Sequence, residues 1–242
     1  MLAASLPGNA MLALVRLLLL ALFFLLVCVL GSLYCLLRPF NPNHVCRFAH
    51  LFAAFAPVLG IRIRMEGQEH AQNGTAVFIG NHQNSWDLFT ASKAVMPRTV
   101  TIGKKSLKWI PFFGTLYWLT GNILIDRKNS AKAKGTIDEA ARRIREEKLS
   151  VWLFPEGTRS YGRGLLPFKT GAFHTAIAAG VPIVPIVVSS LDNIRLNRWN
   201  NGEVRVRYLP AISTQGLEKG QARALSEQCH QQMSQALAEL NG

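Results

Sequence analysis

Val181-Pro182-Ile183-Val184-Pro185-Ile186-Val187-Val188 is apolar from end to end, as expected of a strand covered on both faces in a largely parallel sheet. Its two prolines each remove a ladder donor, so pairing should be irregular at the start of this strand or on one side of it. Similar short apolar or β-branched runs precede and follow it: Ala76 to Gly80, Thr99 to Ile102, Ile123 to Ile125, Val151 to Phe154 and Val204 to Leu209. Between several of them lie helical patterns, notably Ala131 to Glu147, Ala172 to Ala179 and Ala222 to Leu240. Strands alternating with helices predict an α/β fold, a mixed, largely parallel central sheet flanked by helices.

The N-terminal part has another character. Leu17 to Leu37 contains no charged residue, and at about 1.5 Å rise per residue it is long enough to cross a bilayer core of roughly 30 Å. The run is too long for the apolar core of a cleaved signal peptide and lacks its small-residue cleavage site. A second apolar run, Phe48 to Gly60, is too short to span and is broken by Pro57, so it is expected at the membrane interface. We therefore expect residues 1–64 to form a membrane anchor (apolar helix 11–37, interfacial segment 48–60) and residues 65–242 to form the catalytic domain. The two apolar segments are equally compatible with a hairpin in one leaflet.

Arg38, Arg47, Arg62 and Arg64 all come before Glu66, the first acidic residue of the chain, which favours a cytoplasmic catalytic domain. Lys plus Arg exceed Asp plus Glu by 27 to 14 over 242 residues, a field that attracts phosphates, acidic proteins or anionic headgroups. The basic residues are dispersed and the chain carries an apolar anchor, so a nucleic-acid partner is not expected. Cys28, Cys35, Cys46 and Cys229 have no C-x-x-C spacing, which argues against a disulfide framework or a zinc site.

Two short runs carry the chemistry. In Asn81-His82-Gln83-Asn84-Ser85-Trp86-Asp87 a base and a carboxylate lie close together. On one continuous helix, five steps of about 100° would leave His82 and Asp87 about 140° apart. They meet only if His82 is in a loop and Asp87 in the first turn of a helix over Trp86 to Val95, for which Ser85 is the expected cap. The carboxylate then holds one ring nitrogen while the other faces the substrate, as in a general base. No G-x-S-x-G elbow is present, so the nucleophile should be a substrate hydroxyl.

Phe154-Pro155-Glu156-Gly157-Thr158-Arg159-Ser160 follows a predicted strand, where open α/β sheets bind ligands. Gly157 permits close backbone approach, Thr158 and Ser160 offer hydroxyls, and Arg159 offers a donor fork suited to phosphate. Glu156 is awkward beside a phosphate. It should pair with a cation such as Arg159, or accept a hydrogen bond from substrate or backbone. Lys104, Lys105, Arg127 and Lys169 are further cations near these runs. Trp109, Phe112, Phe113, Tyr117 and Trp118 form an aromatic set that fits an acyl tunnel, a core or a membrane-facing patch.

Through Asn81-His82-x4-Asp87, Gly103-Lys104-Lys105-Ser106-Leu107-x3-Pro111-x2-Gly114, Gly121 to Arg127, Phe154 to Ser160 and Val181 to Pro185, the chain resembles the glycerolipid acyltransferase superfamily. It resembles most of all the bacterial 1-acylglycerol-3-phosphate acyltransferases. The resemblance implies that His82, assisted by Asp87, deprotonates the 2-hydroxyl of a lysophosphatidic acid, which attacks the thioester of acyl-CoA or acyl-carrier protein. By the same resemblance, phosphatidic acid is expected to form by direct transfer, without an acyl-enzyme. It further implies a substrate-phosphate site at Lys104, Glu156, Gly157, Thr158 and Arg159, with Asn81, Lys105, Arg127 and Lys169 as additional candidates. The expected partners are membrane lipid, lysophosphatidic acid and the acyl donor, with no cofactor or metal, at a bacterial inner membrane. Asp87, rather than a glutamate, points away from the lipid A acyltransferases. Glycerol 3-phosphate or another lysophospholipid remains open as acceptor. A non-catalytic adaptor for anionic lipid would explain the charge and the anchor, but not a His-Asp pair beside an anion loop.

Overall fold

The computed structural model describes residues 8–71, 74–125 and 130–242. It opens with α1 (Gly8–Leu37), largely apolar and uncharged except for Arg16, and α2 (His44–Ala54), which runs into a short turn, Ala56–Leu59. The α/β part follows as β1 (Ile61–Glu66), β2 (Val77–Gly80), β3 (Thr99–Lys104), α3 (Phe113–Leu119), β4 (Ile123–Ile125), α4 (Ser130–Glu147), β5 (Ser150–Leu153), α5 (Gly171–Ala179), β6 (Ile183–Val188), β7 (Gly202–Tyr208) and α6 (Ala222–Asn241).

The strands form one sheet in the order β1-β7-β6-β2-β5-β3-β4, parallel at every pairing except β6 with β7. This is the mixed, largely parallel arrangement expected from the run at 181–188. Every residue of β2 and β6 is buried, as central strands of a sheet covered on both faces must be. Pro182 falls just before β6, and its carbonyl accepts from the Val77 amide. Pro185 lies inside β6 opposite Ile79, and its carbonyl accepts from Leu209 on the β7 side. Regular pairing with β7 is confined to Ile186, Val187 and Val188, and an isolated bridge between Ile183 and Ile212 closes the gap. The irregularity imposed by the prolines is thus on one side of the strand.

Helices α4, α5 and α6 pack side by side over β2, β4, β5 and β6, while α2 and the turns Ser85–Leu88 and Ala91–Ala94 pack together beside β3. Parallel crossovers leave the carboxyl ends of β2, β5, β3 and β6 on one edge of the sheet, the edge that carries the site.

Three expectations are corrected. Trp86 to Val95 is not one helix but the two short turns. Asn84, not Ser85, caps the first of them, because the Asn84 side chain accepts from the Trp86 amide while Asp87 accepts from the Asn84 amide. The boundary at 64/65 falls inside β1, whose Ile61 to Arg64 pair with Gly202 to Arg205, so the sheet begins within the segment assigned to the anchor. The second apolar segment packs one face on the domain, burying Phe52, Ala53, Ala56 and Leu59, and leaves His50, Leu51, Ala54, Pro57 and Val58 exposed.

Helix α1 lies against the domain. Phe23 stacks on Phe55 with ring centroids 4.4 Å apart and Phe24 on Phe113 at 5.8 Å. Near its start, buried Arg16 donates to the carbonyls of Val58 (2.8 Å), Leu196 (3.1 Å), Arg198 and Trp199 (3.1 Å). The guanidinium's donors are thereby taken up by carbonyls of residues distant in the chain. The opposite side exposes Leu18, Leu22, Leu26, Leu30 and Leu33. It is the one helix among the described residues that is long and apolar enough to cross a membrane.

Candidate active site

The loop after β2 carries the base. His82 Nδ1 lies 2.7 Å from Asp87 Oδ2, which also accepts from the backbone amides of Gln83 (2.8 Å) and Asn84 (3.0 Å). One carboxylate oxygen therefore caps the turn and fixes the imidazole, with His82 in the loop and Asp87 in the first turn. Asp87 is buried, and its Oδ1 has no hydrogen-bond partner among the described residues. The His82 ring stacks on Phe154 at 4.1 Å, nearly parallel at 12°. With Nδ1 committed to Asp87, Nε2 is the nitrogen left for substrate, and the ring lines a cavity of about 660 Å³.

Asn81 and Gln83, on either side of the base, tie the loop down. Asn81 donates to Val188 O at 2.9 Å and accepts from Val188 N at 2.8 Å, continuing the β2–β6 pairing with an amide side chain. Gln83 donates to Ser189 O at 2.8 Å and accepts from Leu191 N at 3.0 Å. Both side chains are buried. Asn81 thus stands beneath the site as a brace, and Gln83 was not singled out from the sequence at all. The signal available was a pair of amide side chains flanking a histidine at a strand end, where a loop has backbone groups to satisfy.

The second run docks directly on the first. The amides of Ser160 and Tyr161 donate to the carbonyls of His82 (2.8 Å) and Gln83 (2.9 Å), and Arg159 makes two long bonds, to Ser85 Oγ (3.3 Å) and the Tyr161 hydroxyl (3.4 Å). Bonds of that length exchange readily for a ligand oxygen. Glu156 is 3 % exposed, and its two oxygens accept from the amides of His82 (2.6 Å) and Leu166 (3.0 Å). Of the roles open to it in the sequence, the backbone acceptor is the one realised. It forms no ion pair with Arg159 among the described residues, and it stands behind the cavity wall. Burial raises its carboxyl above the ordinary range, opposed by the two amide bonds.

The cavity lining combines two kinds of residue. Lys104, Gly157, Thr158, Arg159 and Lys169 line it with cations and donors, whereas Ile102, Leu107, Ile125, Ile137 and Trp152 give apolar wall. Gly157 has φ +70°, and a Cβ there would come 2.9 Å from Lys169 Nζ, so the lysine crosses close over the loop. Lys105 is exposed and outside this lining, and Arg127 lies outside the described residues. The aromatic set divides three ways. Tyr117 enters the cavity wall with its hydroxyl 2.5 Å from Thr101 Oγ1, Phe113 packs on α1, and Trp109, Phe112 and Trp118 face outward.

A base held by a carboxylate, beside a pocket lined by both cations and apolar side chains, suits transfer chemistry on an anionic amphiphile. The Acyltransferase family profile matches residues 62–189. The chain belongs to the acyltransferase family. It is 54% identical over 233 residues to a 1-acyl-sn-glycerol-3-phosphate acyltransferase of Escherichia coli, covering 96% of this chain and 95% of the relative. A Haemophilus influenzae protein of the same name is 51% identical, covering 96% of this chain and 97% of that one. The human 1-acyl-sn-glycerol-3-phosphate acyltransferase alpha is 34% identical, covering 90% and 79%. In fold, this acyltransferase matches the crystal structure of the 1-acyl-sn-glycerophosphate acyltransferase of Thermotoga maritima with a TM-score of 0.73 over 96% of this chain and 97% of that one, at 19% identity.

Proposed function

We propose that this acyltransferase moves an acyl group from a thioester to the 2-hydroxyl of 1-acyl-glycerol 3-phosphate, giving phosphatidic acid. The observation that carries the reading is the His82–Asp87 pair at 2.7 Å, opening on a cavity whose lining combines Lys104, Arg159 and Lys169 with apolar side chains. The names of the bacterial relatives, at 51% identity or more over nearly the whole chain, support the acceptor.

In this mechanism the acceptor phosphate pairs with Lys104, Arg159 and Lys169 and with the Thr158 hydroxyl, which holds the glycerol hydroxyl toward His82 Nε2. The base takes the hydroxyl proton as its oxygen attacks the thioester carbonyl. Asp87 stabilises the resulting imidazolium, and collapse of the tetrahedral intermediate breaks the carbon–sulfur bond. The proton then passes from His82 to the departing thiolate, so the enzyme returns to its starting state. A positioned base of this kind contributes about 10² to 10⁴ in rate. Glu156 acts by holding the His82 and Leu166 amides rather than by touching phosphate, and Asn81 by fixing the loop to β6.

The donor is acyl-CoA or acyl-carrier protein. The net charge of +13 favours recruitment of an acidic carrier, and such steering weakens with salt. The apolar α1 and the arginines that precede Glu66 support attachment to a bacterial inner membrane with the catalytic part in the cytoplasm.

The test is thiol release from an acyl-CoA by purified protein in detergent, with and without lysophosphatidic acid, and with glycerol 3-phosphate as competing acceptor. Release that requires lysophosphatidic acid supports the reading. Release with glycerol 3-phosphate moves the acceptor, and release with no acceptor makes the protein a hydrolase.

A further inference from the structure

The turn after β3, Lys105–Trp109, and the residues leading into α3 present a surface that the acyl-transfer reading leaves unused. Trp109, Ile110, Pro111 and Phe112 are consecutive, apolar and all exposed, Trp109 by 75% and Phe112 by 56%. A run of that kind on a water-facing surface has a partner or is a liability. It is not a loose loop. Gly114 N donates to Ile110 O at 2.8 Å, Ile110 N to Leu107 O at 3.1 Å, and a Cβ on Gly114 would meet Lys108 O at 2.1 Å. The segment is therefore folded tightly on itself. Phe112 is held at φ 62°, ψ −51°, a conformation costly for a residue with a side chain.

The apolar tip continues a larger surface. Phe113, next in the chain, is stacked on Phe24 of α1, which fixes the tip beside that helix. Trp118, one exposed turn further along α3, meets exposed Phe40 edge to face at 5.2 Å, just past the end of α1. Around the tip the charge has one sign. Lys104, Lys105 and Lys108 flank it, the Lys108 ammonium sits 4.7 Å over the Trp109 ring, and no Asp or Glu occurs between Asp87 and Asp126. Tryptophan with flanking lysines is the composition of a segment at the headgroup level of an anionic bilayer, where rings enter and ammonium groups stay at the phosphates.

We propose that Lys105–Phe112 is a second membrane-insertion element, separate from α1, that sinks Trp109, Ile110 and Phe112 into an anionic lipid surface. Lys104 and Leu107, at its base, line the cavity, so insertion sets the cavity mouth against the bilayer. If the acyl-transfer reading holds, the lipid acceptor then reaches His82 without passing through water.

Two measurements on the full chain test this. All four native cysteines are buried, so an environment-sensitive NBD dye is directed to Ile110→Cys and, as a reference at another exposed position, to Gln215→Cys. Each protein is bound to phosphatidylcholine–phosphatidylglycerol vesicles containing lipid spin-labelled near the headgroup. Quenching at position 110 at least about twofold stronger than at 215 is expected of an inserted tip, and equal or absent quenching at 110 overturns the proposal. This arm needs no turnover, so it stands or falls apart from the acyl-transfer reading. In the second arm, Trp109→Ser with Phe112→Ser should raise the apparent KM for lysophosphatidic acid in vesicles about tenfold, with activity on a water-soluble short-chain acceptor unchanged. An equal loss on both acceptors would assign these rings to the fold or the cavity and overturn the proposal.

Discussion

Glu156→Gln separates a carboxylate that supports the site from one that binds substrate. In the structure both oxygens accept from backbone amides, those of His82 at 2.6 Å and Leu166 at 3.0 Å, and the residue is buried. A glutamine of the same shape has one acceptor oxygen and an NH₂ group, so one of the two amides loses its partner and faces a donor. An orphaned buried donor costs about 1–3 kcal/mol. For a protein of this size that is a fall in Tm of about 2–12 °C. Because the His82 amide is one of the two, the base should also shift, and misplacement approaching 1 Å costs about 10²-fold in rate. The expected result is therefore a lower Tm by scanning fluorimetry in detergent and a kcat reduced about 10- to 100-fold, with little change in KM for the lysolipid. A variant that kept kcat and Tm but lost affinity for the phosphate acceptor would refute the reasoning and put the carboxylate on the ligand side. The pH dependence supplies a second check. Burial raises the Glu156 carboxyl, so between the ordinary and the raised value the folded protein binds more protons than the unfolded chain. The contribution of Glu156 to stability is then full below the ordinary carboxylate range and is lost as pH rises through the raised value. The stability gap between wild type and Glu156→Gln should accordingly narrow as pH rises across that window.

Further outcomes follow from other contacts. His82→Ala should leave a folded, membrane-bound protein with turnover reduced by about 10² to 10⁴; near-normal thiol release would remove His82 from the chemistry. Gly157→Ala places a Cβ at φ +70° and 2.9 Å from Lys169 Nζ, so it should cost about 1–2 kcal/mol in stability and raise KM for the acceptor more than it lowers kcat. Arg16→Ala strips a donor from each of four carbonyls and should destabilise by about 1–3 kcal/mol, visible as faster proteolysis in the 195–200 loop; an unchanged cleavage rate there would mean that the loop stands without the helix. If an acidic acyl-carrier protein is the donor, raising salt should weaken its use more than that of acyl-CoA, and equal sensitivity would argue against steering.

What could be read from the chain was mostly what is local. The central strands announce themselves by unbroken apolar runs, and the prolines of β6 foretold its one-sided pairing. The meeting of His82 with Asp87 followed from helical geometry, because only a loop-to-first-turn junction brings them together. What was not legible depends on partners far away in sequence. β1 alternates Ile and Arg as a half-buried strand should, yet its arginines were counted only as charge near the anchor. Its parallel partner, β7, begins at Gly202. Asn84 outcompetes Ser85 as cap because Asp87 answers its amide in return. Glu156 had to await the position of Leu166, ten residues on, before its role was decided. The aromatic set of 109–118 divided because Phe113, Tyr117 and Trp118 lie on different sides of α3, a helix of two turns, while Trp109 and Phe112 stand exposed ahead of it.

The contacts of Arg16 also set an order of events during synthesis. The helix that carries it is the first described element made, but three of its four carbonyl partners lie in residues 196–199, at sequence separations of 180 to 183. At roughly 5–20 residues per second, about 9 to 36 s pass before those partners emerge. Throughout that interval the guanidinium must be satisfied by water, headgroups or the carbonyl of Val58 alone. The helix can pack on Phe55 and Phe113 early, but its Arg16 end is locked only when residues 196–199, just ahead of β7, arrive. Early synthesis and late locking make this helix the first described piece of the enzyme to be made and its Arg16 end among the last to be fixed in place.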